Sequence, residues 1–155
     1  MEPALERTLA PRIKSPVRPG PDEADRRLNI AVIFTTVPTT LSAMRRAGSM
    51  AASLGARITL LVPQVVPYPL PLGSPPVLLD WNETRFRVIA SQSPVETVVR
   101  IFLCRDTRDA VEGSLGRKSL VVIGGRKTFW PFTKEKRLAR RLGRCGHEVI
   151  FAEAE

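Results

Sequence analysis

From residue 28 onward, short continuous apolar runs alternate with segments whose apolar residues recur at helical spacing. LNIAVIFT (28–35) has the nearly unbroken apolar character of a strand covered on both faces. After it, Leu41, Met44, Ala47, Ala51 and Leu54 share one side of a helix over Thr39–Leu54. Thr39 or Thr40 is placed to cap its start and Gly55 to end it. ARITLLVP (56–63) reads as a second strand. The prolines of PQVVPYPLPLGSPP (63–76) then exclude both helix and central strand. Asp80 and Glu83 have capping-box spacing and predict a short helix to Ser91. VETVVRIFLC (95–104) is β-rich, and Asp106, with Asp109 behind it, opens a helix that Gly116 closes. SLVVIGG (119–125) is the fourth and most apolar strand. Thr133 caps a last helix with a buried stripe of Leu138, Ala139, Leu142 and Cys145, ended by Gly143 or Gly146; HEVIFAE (147–153) is the fifth strand.

Buried strands that alternate with helices define an α/β domain: a five-stranded parallel sheet with helices on both faces. It occupies residues 28–155. Residues 1–27 carry five prolines among charges of both signs and few bulky apolar side chains. Such a stretch cannot bury enough surface to offset its ordering entropy, and it reads as a disordered N-terminal tail.

Composition changes this picture in one respect. The 155 residues are 43% hydrophobic and 25% charged, an ordinary globular balance, but the formal net charge is +9. Much of the excess lies in residues 126–144, where Arg126, Lys127, Lys134, Lys136, Arg137, Arg140, Arg141 and Arg144 face Glu135 alone. Anionic partners are favoured. The two cysteines, Cys104 and Cys145, make neither a disulfide framework nor a metal-ligand spacing, and both read as small buried residues. No apolar run reaches the length of a membrane span and the N-terminus lacks a signal peptide's apolar centre, so the expectation is a cytoplasmic chain.

Four stretches resemble the universal stress protein family, a nucleotide-binding α/β superfamily: the first strand running into a Thr-rich turn and a helix ending AASLGARITLLVP, the excursion VVPYPLPLG, the fourth strand SLVVIGGR, and RLARRLGRCGHEVIF. The likeness runs from Asn29 to Glu153. It implies strand order 3-2-1-4-5, a regulatory or stress-response role, and ATP or another nucleotide as ligand; a homodimer is expected, and the alternative function is a homodimeric interaction module that binds no nucleotide. The switch point of such a sheet falls between strands one and four, and ligands sit outside the carboxyl ends of strands there. Those ends are FTTVPTT and GGRKT. The resemblance also places Val62 where the family holds the base by backbone contact.

The chain departs from the family where ATP-binding members carry Gly-x-x-Gly, nine residues, then Gly and Ser or Thr. With Gly124 as the first glycine, Lys127 and Arg137 occupy the other glycine positions. Thr35 and Thr36 stand where those members tend to have an aspartate. The expected anion or nucleotide site is therefore Thr35, Thr36, Val37, Thr39, Val62, Gly124, Gly125, Arg126, Lys127 and Thr128. Each has a plainer alternative. The glycines either bring backbone close to a phosphate or let the chain leave a crowded sheet. The threonines either bond a ligand or serve as cap and turn residues. Arg126 and Lys127, before a helix start that already attracts anions, either serve an anion site or are simply solvated surface cations.

Arg137, Arg140, Arg141 and Arg144 form a helix face that is either solvated or in contact with nucleic acid or an acidic partner. Phe129, Trp130 and Phe132 suit a membrane-surface foothold, a wall for a base, or a subunit contact; packing as a plug under the sheet is the expected outcome. PYPLPLG is a lid over the crevice or an inert edge loop. His147 has no nucleophile or carboxylate partner by motif and reads as structural. No acid–base pair, nucleophile elbow or metal cluster stands out, which argues against an enzyme and against a bound metal.

Overall fold

The computed structural model describes residues 5–9, 28–66, 68, 79–115 and 119–154. Its elements in chain order are β1 (Leu5–Leu9), β2 (Asn29–Ile33), α1 (Val37–Leu54), β3 (Arg57–Val65), α2 (Leu79–Ser91), β4 (Thr97–Cys104), α3 (Thr107–Ser114), β5 (Leu120–Arg126), α4 (Lys134–Arg144) and β6 (Glu148–Ala154). The sheet runs β1-β4-β3-β2-β5-β6. Its five parallel strands, β4-β3-β2-β5-β6, are the predicted 3-2-1-4-5 arrangement.

The apolar runs are continuous because both faces of the sheet are covered. On one face Ile30, Val32, Ile58, Leu60 and Val122 pack beneath Ala43, Met44, Ala47 and Ala51 of α1 and Phe86 and Ile89 of α2. On the other, Ala31, Ile33, Leu61, Val121 and Ile123 meet Val111 of α3 and Leu138 and Leu142 of α4. Successive residues of one strand thus serve two separate cores, the two-residue period of a pleated strand.

Several boundaries differ from the pattern-based expectation. Residues 5–9, assigned above to a disordered tail, form a strand antiparallel to β4, with Leu5 opposite Leu103 and Leu9 opposite Val99. Ladder pairing is made by backbone, so a short segment of ordinary composition leaves little trace of it in sequence. The rest of the expected tail, 1–4 and 10–27, lies outside the described residues. β3 continues through Pro63 to Val65. Leu61 gives its carbonyl to the N–H of Phe34 at 2.8 Å. Backbone groups alternate in direction along a strand, so Pro63 presents its missing N–H on that same side, where β2 has already ended. α1 begins at Val37 with Thr36 as its cap, and Pro38 sits in the first turn, where its absent N–H is harmless. Asp80, expected at the cap, lies within α2, which begins one residue earlier at Leu79. Cys145, expected to be buried, is exposed at the end of α4, whereas Cys104 is buried. Gly116 and most of the PYPLPLG segment lie outside the described residues.

Candidate functional site

Both α1 and α4 start at the carboxyl end of the sheet, directly after β2 and β5. The positive ends of the two helix dipoles therefore lie at the same edge of the sheet. The tips of β2 and β5 are joined: their ladder pairs Ile33 with Ile123, and just beyond it the Thr35 hydroxyl donates to the carbonyl of Gly124 at 2.9 Å. Residues that sequence reasoning gathered from two distant stretches are thus neighbours.

The threonines are bonded mainly to one another. Thr39 Oγ1 lies 2.7 Å from Thr35 Oγ1 and 2.6 Å from Thr36 Oγ1, and it accepts the N–H of Thr36 at 3.2 Å. Thr40 Oγ1 accepts the N–H of Thr35 at 3.1 Å. Thr39 and Thr40 are buried, Thr35 is half-buried and Thr36 is exposed. This cluster ties the start of α1 to the end of β2 and, through Thr35, to β5. Of the threonines expected to meet a ligand, Thr36 is the exposed residue, and its hydroxyl is engaged with Thr39 as the cap of α1.

Gly124 and Gly125 have separate steric reasons to lack a side chain. A Cβ on Gly124 would lie 1.9 Å from the carbonyl oxygen of Thr39, so the first turn of α1 rests against the backbone of β5. On the opposite face, a Cβ on Gly125 would lie 2.3 Å from the tip of the Phe151 ring. Both glycines are buried, and φ is not positive at either. Close packing on two faces is what the pair does within the fold.

Arg126 and Lys127 follow and are both exposed. Arg126 is in register with Ala154, as Gly124 is with Ala152, so alternation puts its side chain on the α1 face of the sheet. Lys127 donates its N–H to the carbonyl of Ala154 at 3.0 Å, extending the β5–β6 ladder by one residue. Adjacent amides point oppositely, so Arg126 turns its own N–H toward the β2 side, beyond the last β2–β5 pair. Thr128 is half-buried, and its hydroxyl accepts the N–H of Trp130 at 3.2 Å. Val37, half-buried, is the first residue of α1. Val62 is buried within β3, paired with Ile101 of β4, and by the alternation that governs Pro63 its amide groups face β4.

The aromatic plug expected beneath the sheet is not formed. Phe129, Trp130 and Phe132 are all exposed, because the turn from Lys127 to Thr133 carries them outward past the end of β5 rather than back over it. His147 accepts the N–H of Ser119 at its Nδ1, 3.0 Å away, and so ties the start of β6 to the residue before β5. Arg141 pairs with Glu112 and Asp109 of α3, whereas Arg137, Arg140 and Arg144 are exposed. Among the described residues no group of three His, Cys, Asp or Glu side chains is placed to hold a metal, and no helix is long and apolar enough to cross a membrane.

The fold is that of universal stress proteins. The chain is similar to a protein of the universal stress protein family from Burkholderia pseudomallei, with a TM-score of 0.57, 20% identity and coverage of 81% of this chain and 96% of that one. It is likewise similar to a universal stress protein from Archaeoglobus fulgidus, with a TM-score of 0.56, 18% identity and coverage of 81% and 93%. No protein-family model matches the sequence, and no curated protein matches it.

Proposed function

We propose that this chain is a non-catalytic binding domain with a regulatory or stress-response role, and that it takes an anionic ligand, a nucleotide first among candidates, at the carboxyl ends of β2 and β5. One observation carries the reading: Arg126 and Lys127 stand exposed, with no carboxylate partner among the described residues, at a sheet end where two helices begin. Like charges gathered beside helix N-termini repel one another unless an anion is present. The Arg126 amide, and the Thr36 hydroxyl and Val37 amide at the start of α1, are polar groups at this same end of the sheet. Thr35, Thr39, Gly124 and Gly125 shape the edge from behind, and Thr128 fixes the turn that follows. ATP is the first nucleotide to try, since the fold's nucleotide-binding members supply the precedent.

The test is a thermal-shift titration of the full chain with ATP, ADP, AMP and inorganic phosphate, together with analysis of any nucleotide released on denaturation. A ligand-dependent rise in Tm that disappears in Arg126→Ala/Lys127→Ala supports the reading. An unchanged Tm with every anion, from protein that carries no nucleotide, refutes it.

A further inference from the structure

The turn between β5 and α4 carries an apolar tip that nothing else in the described fold covers. Phe129 is 106% exposed, Trp130 64% and Phe132 52%, whereas Phe86 and Phe102 are each 4% exposed. Aromatic side chains of this size usually lie in a core or an interface.

The tip is also held in place. Lys136 donates its ammonium to the carbonyl of Thr128 at 2.8 Å and to that of Trp130 at 3.1 Å, while the Thr128 hydroxyl accepts the Trp130 N–H. Trp130 and Phe132 meet edge to face with ring centres 5.8 Å apart. The backbone of the tip is thus tied to α4, and two of its three rings pack on each other.

Cations flank them along the chain. Arg126 and Lys127 precede the tip, Lys134 and Arg137 follow it in the first turn of α4, and all four are exposed. Arg140 and Arg144 continue the charge along the side of α4 away from Leu138 and Leu142, within roughly 11 Å of Arg137 along the helix axis. Glu135 is the one acid in residues 126–144.

We propose that this tip docks reversibly on an anionic lipid bilayer, with Phe129, Trp130 and Phe132 at the boundary of headgroups and acyl chains and the cations among the headgroups. Trp beside Phe with flanking Lys and Arg suits an interface that is apolar below and anionic above. A second copy of the chain suits it less, because an isologous contact would bring these cations against their own equivalents. A single-stranded nucleic acid also suits it less: Trp130 and Phe132 stand 73° apart and offer no parallel faces for successive bases. The inference goes beyond the proposed nucleotide site and does not depend on it.

The test is co-sedimentation of the full chain with vesicles of phosphatidylcholine alone and of phosphatidylcholine with about 30% phosphatidylserine. Binding to the anionic vesicles only, reversed by high salt, is expected. Phe129→Ser/Trp130→Ser should lower the partition about 10-fold or more while leaving the unfolding transition in place, since both rings are exposed in the fold. Lys134→Glu/Arg137→Glu should lower it about 30-fold or more, the attraction of two surface cations. Brominated acyl chains should quench tryptophan fluorescence in the parent chain and much less in Trp130→Phe. Three results would overturn the proposal: equal or absent binding to the two vesicle types, undiminished binding by the aromatic double variant, or a self-associated species that Phe129→Ser/Trp130→Ser dissolves. Failure of the nucleotide titration leaves this test untouched, because the aromatic variants retain Arg126 and Lys127.

Discussion

Replacing Gly124 by alanine tests the packing at the candidate site through one methyl group. The new Cβ would sit 1.9 Å from the Thr39 carbonyl oxygen and 2.6 Å from its carbon, with Ala43 Cβ at 3.3 Å. Real Cβ atoms essentially never approach within 3.0 Å, so helix and strand must separate by about 1.1 Å. The obstructing atoms are backbone, in the capped first turn of α1, and no side-chain rotation can relieve them. Overpacking of this kind costs about 1–3 kcal/mol. The same displacement breaks the bond from the Thr35 hydroxyl to the Gly124 carbonyl, which adds about 0.5–1.5 kcal/mol. Urea unfolding should therefore show a loss of about 2–4 kcal/mol at unchanged m, and Tm should fall by roughly 10 °C. Gly143→Ala is the matched control, since nothing lies within 4 Å of its Cβ position on α4. There the substitution reduces the entropy of the unfolded chain and should be neutral or stabilising by about 0.5 kcal/mol. Were Gly124→Ala to unfold within about 0.5 kcal/mol of the parent, the close approach of α1 to β5 would be refuted.

Cys104 and Cys145 should differ in reactivity toward a disulfide reagent, with Cys145 labelled in the native state and Cys104 only on unfolding. Burial, followed by the nearby charge of Asp106, raises the Cys104 thiol above its ordinary value. The folded state then holds this proton more tightly than the unfolded state does. The resulting stability is fully present below the unfolded-state pKa and is lost as pH rises through the folded one, so urea midpoints should decline above about pH 9 and decline less in Cys104→Ala. Removal of residues 1–9 should change unfolding free energy by less than about 2 kcal/mol, because the net gain from ladder bonds is largely offset by the ordering entropy of the paired residues. It should instead raise self-association, seen by light scattering, by leaving the outer edge of β4 unpaired. A large stability loss without association would contradict that balance.

The parallel sheet was legible because strands buried on both faces leave unbroken runs such as LNIAVIF and LVVIG, and few other arrangements do. Features set by backbone or by tertiary geometry were not. β1 pairs through amide groups that composition does not record. The start of α1 could have been read from Pro38, which favours the first turn of a helix, more securely than from Thr39. Hydrophobicity alone cannot say whether Phe129, Trp130 and Phe132 fold inward or outward; the direction of the turn after β5 decides it. Paired glycines at a strand end fit a ligand cradle and a packing contact equally well, and only their neighbours on the two faces, Thr39 and Phe151, distinguish these.

The same neighbours set the terms on which an anion can be held at this edge. With α1 seated against Gly124, Thr39 turned into its own cap and Lys127 extending the β6 ladder, β5 does not end in a loop of amides open to a phosphate. The family-pattern positions that would have supplied such a loop carry Lys127 and Arg137 instead. What the edge offers is side-chain charge with two helix starts behind it. An ammonium or guanidinium on a flexible stem attracts phosphate without dictating its geometry, unlike a fixed amide cradle. An anion bound here is therefore distinguished by its charge more than by its base, and its affinity falls as salt rises. Pyrophosphate and ATP should compete on nearly equal terms in the thermal-shift titration, whereas adenosine should not compete at all. Strong preference for ATP over pyrophosphate would require base contacts that the buried, β4-facing Val62 does not supply.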